Sequence, residues 1–277
     1  ESQTEYVALV SAPSSGMTIT VYVNERTAVD LAGNSNAQSA LSSPVETVDP
    51  GSELFDVWHS SGYETTTGLA EGTNGDIYFG DRNGNLYAID PVTGADIWDY
   101  HTPGGRELVG YPAVGDDGTI YVCDENGGVY AIDPGTQSLK WQNNDSNGYA
   151  AGPAIGFDGT IYTVDYNGSY LRAFNPSDGI YKWEQNASLG LQNYATGPVV
   201  VEDAGSDGIV IVRCDDGMMY AIRDDGTYST ELWSENIGEN CVGEPVPGND
   251  GYIYTTRNYP SGPWGYMYVY YLSDGNG

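Results

Sequence analysis

Five copies of one strand-and-turn unit, four strand-sized segments in all but the last copy, and one stray unit-ending tryptophan upstream predict an all-β fold: a five-bladed β-propeller closed by an N-terminal strand. The clearest copies are residues 76–98, 119–141 and 160–183, and weaker ones follow at 208–233 and 251–272. The equivalent residues Tyr78, Tyr121, Tyr162, Ile211 and Tyr254 stand 43, 41, 49 and 43 residues apart. A period of that length, built from strand and turn signals alone, is that of propeller blades.

Each element of the unit follows from local chemistry. The first is a strand of small residues and proline, as in Gly110-Tyr-Pro-Ala-Val, Ala151-Gly-Pro-Ala-Ile and Thr196-Gly-Pro-Val-Val. It suits the innermost place, where blades converge and space is least. Two short alternating strands follow, of the type Ile-Tyr-Val and Leu-Tyr-Ala-Ile. They are separated by Asn-Gly or Asp-Gly, the strongest two-residue hairpin signal. An Asp-Pro-x-Thr-Gly turn comes next, with φ preset by Pro and a positive φ supplied by Gly. The fourth strand carries Trp98, Trp141, Trp183 or Trp233, placed to wedge between neighbouring blades. The fifth unit lacks that strand. Trp58 in Leu54-Phe-Asp-Val-Trp58 has no inner strands before it, so residues 53–60 are expected to complete the fifth blade and leave no open sheet edge. A longer propeller continuing past residue 277 is the alternative.

The repeat, read as Asp-Gly-x-Ile-Tyr-Val followed by Gly-x-Leu-Tyr-Ala-Ile-Asp-x-x-Thr-Gly-x-x-x-Trp, resembles the pyrroloquinoline-quinone-type propeller repeat over about residues 64–277. That repeat occurs in quinone-dependent alcohol dehydrogenases, in an outer-membrane assembly lipoprotein that binds partners, and in many surface proteins. The resemblance implies the fold far more firmly than a chemistry. The dehydrogenases have eight blades, a vicinal cysteine pair and a calcium-binding acidic cluster, whereas here the units number five and Cys123, Cys214 and Cys241 lie far apart. No enzyme of that class is expected, and no cofactor.

Residues 1–50 read differently. Glu5 to Val10 and Met17 to Val23 alternate like strands, and Val29-Asp-Leu-Ala-Gly-Asn34 follows. This stretch resembles the last strands of a bacterial Ig-like domain, too short for a sandwich of about seven strands. The domain reading is an Ig-like fragment or stalk connection at 1–50 and the propeller at 53–277. The absent initiator Met fits a processed or truncated start.

Charge bounds the partners. Lys+Arg number 9 against 39 Asp+Glu, a net charge of −30, and only Lys140 and Lys182 are lysines. Such a field repels nucleic acid and anionic membranes. No run of 18 apolar residues is present, so no membrane insertion is expected. High salt would screen the self-repulsion, which favours a halophilic or marine, calcium-rich exterior; an ordinary acidic secreted protein is the alternative. Three cysteines allow at most one internal disulfide. Three buried thiols are expected, with a Cys214–Cys241 bridge as the other possibility. Asn144, Asn167 and Asn186 open Asn-x-Ser sequons and are candidate glycosylation sites on one face of the ring.

Catalytic and metal signals are thin. The histidines, His59 and His101, sit at blade ends and join no nucleophile constellation. The recurrent acidic turns at Asp81, Asp124, Asp165 and Asp215 offer oxygen ligands of the kind calcium takes, but lack the spacing of a calcium loop. Their recurrence already follows from the hairpin, so structural turns are expected. The loops joining one blade to the next hold the binding candidates Tyr63, Arg106, Tyr149 and Tyr194, and the hairpin insert of the fifth unit adds Trp264. Aromatic faces among amides and carboxylates suit sugars or peptides, although such tyrosines also pack between blades. Two readings result. The first is a non-catalytic surface or virion propeller module that binds glycan or surface-protein partners within a larger assembly in a halophilic or marine setting. The second is a periplasmic or envelope assembly scaffold or, more remotely, a quinone-dependent or glycan-active enzyme.

Overall fold

The computed structural model describes residues 6–9, 18–21, 62–145, 150–165, 170–185, 197–201, 208–214, 217–237, 241–248, 252–258 and 265–271. The chain forms two compact units, Glu1–Val57 and Trp58–Gly277. In the first, β1 (Tyr6–Leu9) pairs antiparallel with β2 (Thr18–Val21), Tyr6 opposite Val21 and Leu9 opposite Thr18.

The second unit is a series of antiparallel meanders, and among the described residues none of its elements is a helix. The first sheet holds β3 (Ala70–Glu71), β4 (Ile77–Gly80), β5 (Asn85–Ile89) and β6 (Asp96–His101) in that order. The second holds β7 (Leu108–Val114), β8 (Ile120–Asp124), β9 (Val129–Asp133) and β10 (Ser138–Asn143). The third holds β11 (Ala150–Ile155), β12 (Ile161–Asp165), β13 (Tyr170–Phe174) and β14 (Tyr181–Gln185). The fourth holds β15 (Val199–Val201), β16 (Gly208–Arg213), β17 (Met218–Asp224) and β18 (Ser229–Asn236). A three-stranded sheet follows, of β19 (Cys241–Pro247), β20 (Tyr252–Asn258) and β21 (Gly265–Tyr271). These are propeller blades, and the strands fall where the repeat placed them. The expected closing segment 53–60 lies outside the described residues.

Alternation along the second strand of each blade decides the packing. Ile120 and Val122 point back and join Tyr78, Leu86 and Ala88, whereas Tyr121 and Cys123 point forward and join Ile161 and Phe174. The same division repeats at Val210 and Val212 toward the third blade and at Ile209 and Ile211 toward Ile253 of the fifth. The core is therefore a set of apolar layers, each shared by two adjacent blades. Small residues let the inner strands converge. A Cβ on Gly110 would come 2.5 Å from the Gly152 Cα of the next blade, and Gly68 N–H donates to Gly110 O across a seam at 2.9 Å.

The tryptophans wedge as expected, and polar bonds fix them. In three blades the outer Trp lies tilted on the second-strand Tyr, with ring centroids 5.7 Å apart for Tyr78–Trp98, 5.8 Å for Tyr121–Trp141 and 5.9 Å for Tyr162–Trp183. Trp141 Nε1 donates to Pro176 O at 2.7 Å and Trp183 Nε1 to Asp224 Oδ1 at 2.7 Å, so each indole is tied to a turn of the following blade.

Both lysines occupy the same repeat position and do the same work. Lys140 Nζ donates to Asp117 Oδ2 at 3.0 Å and Thr119 Oγ1 at 2.7 Å, and Lys182 Nζ donates to Asp158 Oδ2 at 2.8 Å and Thr160 Oγ1 at 2.6 Å. Burial pushes the Asp158 carboxyl up, but the Lys182 and Thr160 donors outweigh it and hold the group below its ordinary value. A carboxyl depressed on folding stabilises above its unfolded pKa of about 3.9, and that contribution is lost as pH falls through the folded value. Lys182→Met is therefore expected to lower stability at pH 5–7, and the difference from wild type is expected to shrink as pH falls through the depressed folded value of Asp158. Urea unfolding at a series of pH values checks this; a pH-independent difference would contradict it.

Candidate functional site

In the first and second blades the turn between the second and third strands is wider than the two-residue hairpin its Asn-Gly suggested. In the first blade Asp81 N–H donates to Asn85 O, Gly84 N–H donates to Asp81 O, and Gly84 takes φ +80°. This is a three-residue loop closed by a left-handed residue, a geometry glycine adopts without strain. The leading Asp clasps it. Asp81 Oδ1 accepts from Asn83 N–H at 2.9 Å and Asn85 N–H at 2.8 Å, and its Oδ2 from Asn85 Nδ2 at 2.8 Å and Tyr87 OH at 3.1 Å. Asp124 repeats the pattern with Asn126 N–H, Gly128 N–H and Tyr130 OH. Burial pushes Asp81 up, yet its Asn85, Asn83 and Tyr87 donors hold it low; burial first, then the Asp81 carboxylate, push the Tyr87 phenol up to about 12. In these two turns the carboxylate oxygens are occupied by donors of the hairpin, so they act as structural clasps. Among the described residues no three His, Cys, Asp or Glu side chains gather as a metal site.

The third blade solves the same position differently. Where the others carry Tyr87 and Tyr130, it carries Arg172, 6% exposed. Its Nη1 donates to Asp165 Oδ2 at 2.7 Å, its Nε to Glu184 Oε2 at 2.8 Å, and its guanidinium lies 4.8 Å from the Tyr170 ring centre. Sequence reasoning missed this cluster, although alignment of the repeats marks Arg172 as the exception in a tyrosine column.

The loop between the first and second blades folds over the Asp81 hairpin. Thr102 is fully buried, and both its N–H and its Oγ1 donate to Gly84 O, at 2.9 and 3.0 Å. Gly105 N–H donates to Thr102 O, and Leu108 N–H to Asp81 O. His101 Nδ1 lies 2.8 Å from Asn85 Oδ1. A backbone pinned at both ends thus presents Arg106, which is exposed, at this face of the blade.

Of the other predicted binding residues, Tyr63 is half-buried. Its ring stands edge-on to Phe79 at 5.1 Å and to Tyr87 at 4.8 Å, and its hydroxyl donates to Asp96. It packs within the first blade. Tyr149, Tyr194 and Trp264 lie outside the described residues, as do Asn167 and Asn186; Asn144 is exposed. Cys123 is a buried free thiol whose pKa burial raises, and Cys214 is also buried. The side chain of Cys241 lies outside the described residues.

On the opposite face a cleft of about 350 Å³ is lined by Thr73, Asn74, Asp133 and the Lys140–Asp117–Thr119 triad. The triad is internally paired, and Asp133 Oδ1 accepts from Gly135 and Thr136 N–H. Asp117, Thr119, Asp133 and Lys140 are thus engaged in the turns and the ion pair that form it. Among the described residues no helix is long and apolar enough to cross a membrane.

Repeated four-stranded meanders with Tyr–Trp layers between them define a β-propeller of the pyrroloquinoline-quinone repeat type. Residues 82–249 match the family model of the outer membrane protein assembly factor BamB, and the chain belongs to that family. No curated protein matches it in sequence. Among solved structures, BamB from Moraxella catarrhalis is similar at 16% identity and a TM-score of 0.53, over 73% of this chain and 60% of that one. A chain of the Mitotic Checkpoint Complex is similar at 11% identity and a TM-score of 0.59, over 74% of this chain and 60% of that one. A protein of unknown function from Bacteroides caccae is similar at 15% identity and a TM-score of 0.51, over 71% of each chain. At these identities the likeness is one of fold. This chain spans 60% of the BamB and checkpoint chains it matches.

Proposed function

We propose that this chain is a non-catalytic, protein-binding propeller module of a cell-envelope or exterior assembly, and that it holds its partner on the face carrying the inter-blade loops. The observation that supports this reading best is the 101–108 loop, which is pinned through buried Thr102 and holds one of only nine cations exposed. Loops fixed on a rigid scaffold are where binding concentrates. An exposed Arg on a pinned backbone, in a chain of net charge −30, gives this face a local cation for a partner to meet. The family's description as an assembly factor agrees with a scaffold role. Tyr149, Tyr194 and Trp264 belong to the same proposed face. The Ig-like lead-in supplies a stalk in this reading, Asn144, Asn167 and Asn186 accept glycans, and the net charge suits a salt-rich exterior.

Arg106→Glu is expected to weaken retention of the protein on solubilised envelope of the producing cell by roughly 30-fold, the equivalent of about 2 kcal/mol at an Arg anchor. Val92→Glu, on an exposed turn of the opposite face, is expected to leave retention unchanged. Equal retention of both variants and wild type would contradict the assignment.

A further inference from the structure

The apolar layer between the fourth and fifth blades holds a buried charge with no partner, whereas the buried Asp224 of the third–fourth seam is hydrogen-bonded from both blades. Arg213 ends β16 and shares a face with Ile209 and Ile211, which pack in one layer with Met219, Ala221 and Ile253. Thr255 lies two residues beyond Ile253 on β20 and therefore faces the same layer. Arg213 is 2% exposed and Thr255 3%. Arg213 Nε and Nη1 and Thr255 Oγ1 are buried without a hydrogen-bond partner, and they are the only such side-chain atoms among the described residues.

Equivalent positions show what is unusual. The Arg213 column holds Gly80, Cys123 and Val164 in the first three blades, and the Thr255 column holds Val122, Thr163 and Val212 in the second, third and fourth. Small or neutral side chains fill those seams. A guanidinium stays protonated at any pH the fold survives, and isolating it from water without a counter-charge costs several kcal/mol. Water satisfies donors but does not neutralise the charge. Among the described residues no carboxylate pairs with Arg213. A slot occupied in its sister seams by side chains of at most three heavy atoms admits only a small occupant.

We infer that Arg213 and Thr255 form a binding site for one small monovalent anion, of halide or formate size, stapling the fourth blade to the fifth. The anion supplies the missing charge and accepts from the Arg213 nitrogens and the Thr255 hydroxyl.

Thermal unfolding read by tryptophan fluorescence tests this, with sodium bromide and then sodium formate titrated at ionic strength held constant by sodium sulfate. The melting temperature of wild type is expected to rise by several degrees along a saturable curve, as for any ligand held only by the folded state. Arg213→Met is expected to abolish the response while melting no lower than wild type in the sulfate buffer without bromide or formate. An identical response in both proteins would assign it to bulk salt and overturn the site. Glu244 is a carboxylate of β19 in the neighbouring blade, and Glu244→Gln separates a counter-charge from this chain from a free anion. The proposal expects its bromide response to match wild type. It is overturned if wild type ignores both anions and Glu244→Gln alone destabilises. Should Arg213→Met fail to fold, bromide-soaked wild-type crystals decide the matter. An anomalous peak within hydrogen-bond distance of Arg213 supports the site, and a featureless seam refutes it.

Discussion

Asp224→Ala is expected to lower stability by about 4 kcal/mol, a fall in melting temperature on the order of 10 °C for a unit of this size. Asp224 is fully buried and joins two blades. Its Oδ2 accepts from Tyr162 OH at 2.6 Å, and its Oδ1 from Trp183 Nε1 and Gly226 N–H, each at 2.7 Å. Alanine leaves two side-chain donors of the third blade buried and unpaired, at about 1–3 kcal/mol each. Asp133→Ala removes the aspartate that opens the corresponding turn of the second blade, one position earlier in the repeat than Asp224, where it accepts only from the exposed Gly135 and Thr136 N–H groups; that loss is expected to stay within about 1 kcal/mol. Chemical denaturation of the two variants side by side checks the contrast. Equal losses would mean that the inter-blade clasp contributes nothing beyond the turn.

Arg172→Ala is expected to cost about 3–5 kcal/mol, because it removes the guanidinium that offsets a buried carboxylate. Asp165 is 4% exposed at the side chain and loses its 2.7 Å partner, and Glu184 loses a 2.8 Å one. The repeat suggests its own repair. Tyr87 and Tyr130 give their hydroxyls to the equivalent Asp81 and Asp124, so Arg172→Tyr is expected to recover more than half of the alanine loss. If tyrosine proves no better than alanine, the third blade has committed to its ion cluster and the columns are not interchangeable.

The blades were legible because a propeller repeats its constraints. The same Tyr, turn Asp and Trp recur wherever the same neighbour must be met, and the small inner strand recurs wherever backbones converge, as at Gly110 and Gly152. The departures were not legible from the motif, which averages over columns. Arg172 and Arg213 look like ordinary surface residues until strand alternation turns them inward. Lys140 and Lys182 read as two rare charges rather than as one device used twice. The width of the hairpin was misjudged because Asn-Gly marks a turn, whereas the Asp before it decides how many donors the turn must satisfy. In the candidate site, Tyr63 and Arg106 looked equivalent in sequence. A tyrosine packs and binds with the same ring, and only its place against Phe79 and Tyr87 separates the two uses.

Site-specific photo-crosslinking in the producing cell tests the binding face most directly, with a benzophenone amino acid placed at position 106 in one protein and at position 92 in another. The account predicts protein adducts of discrete mass from position 106 and none from position 92, with both variants equally folded and abundant. Adducts from position 92 alone, or from neither position, would contradict a partner held on the inter-blade loops.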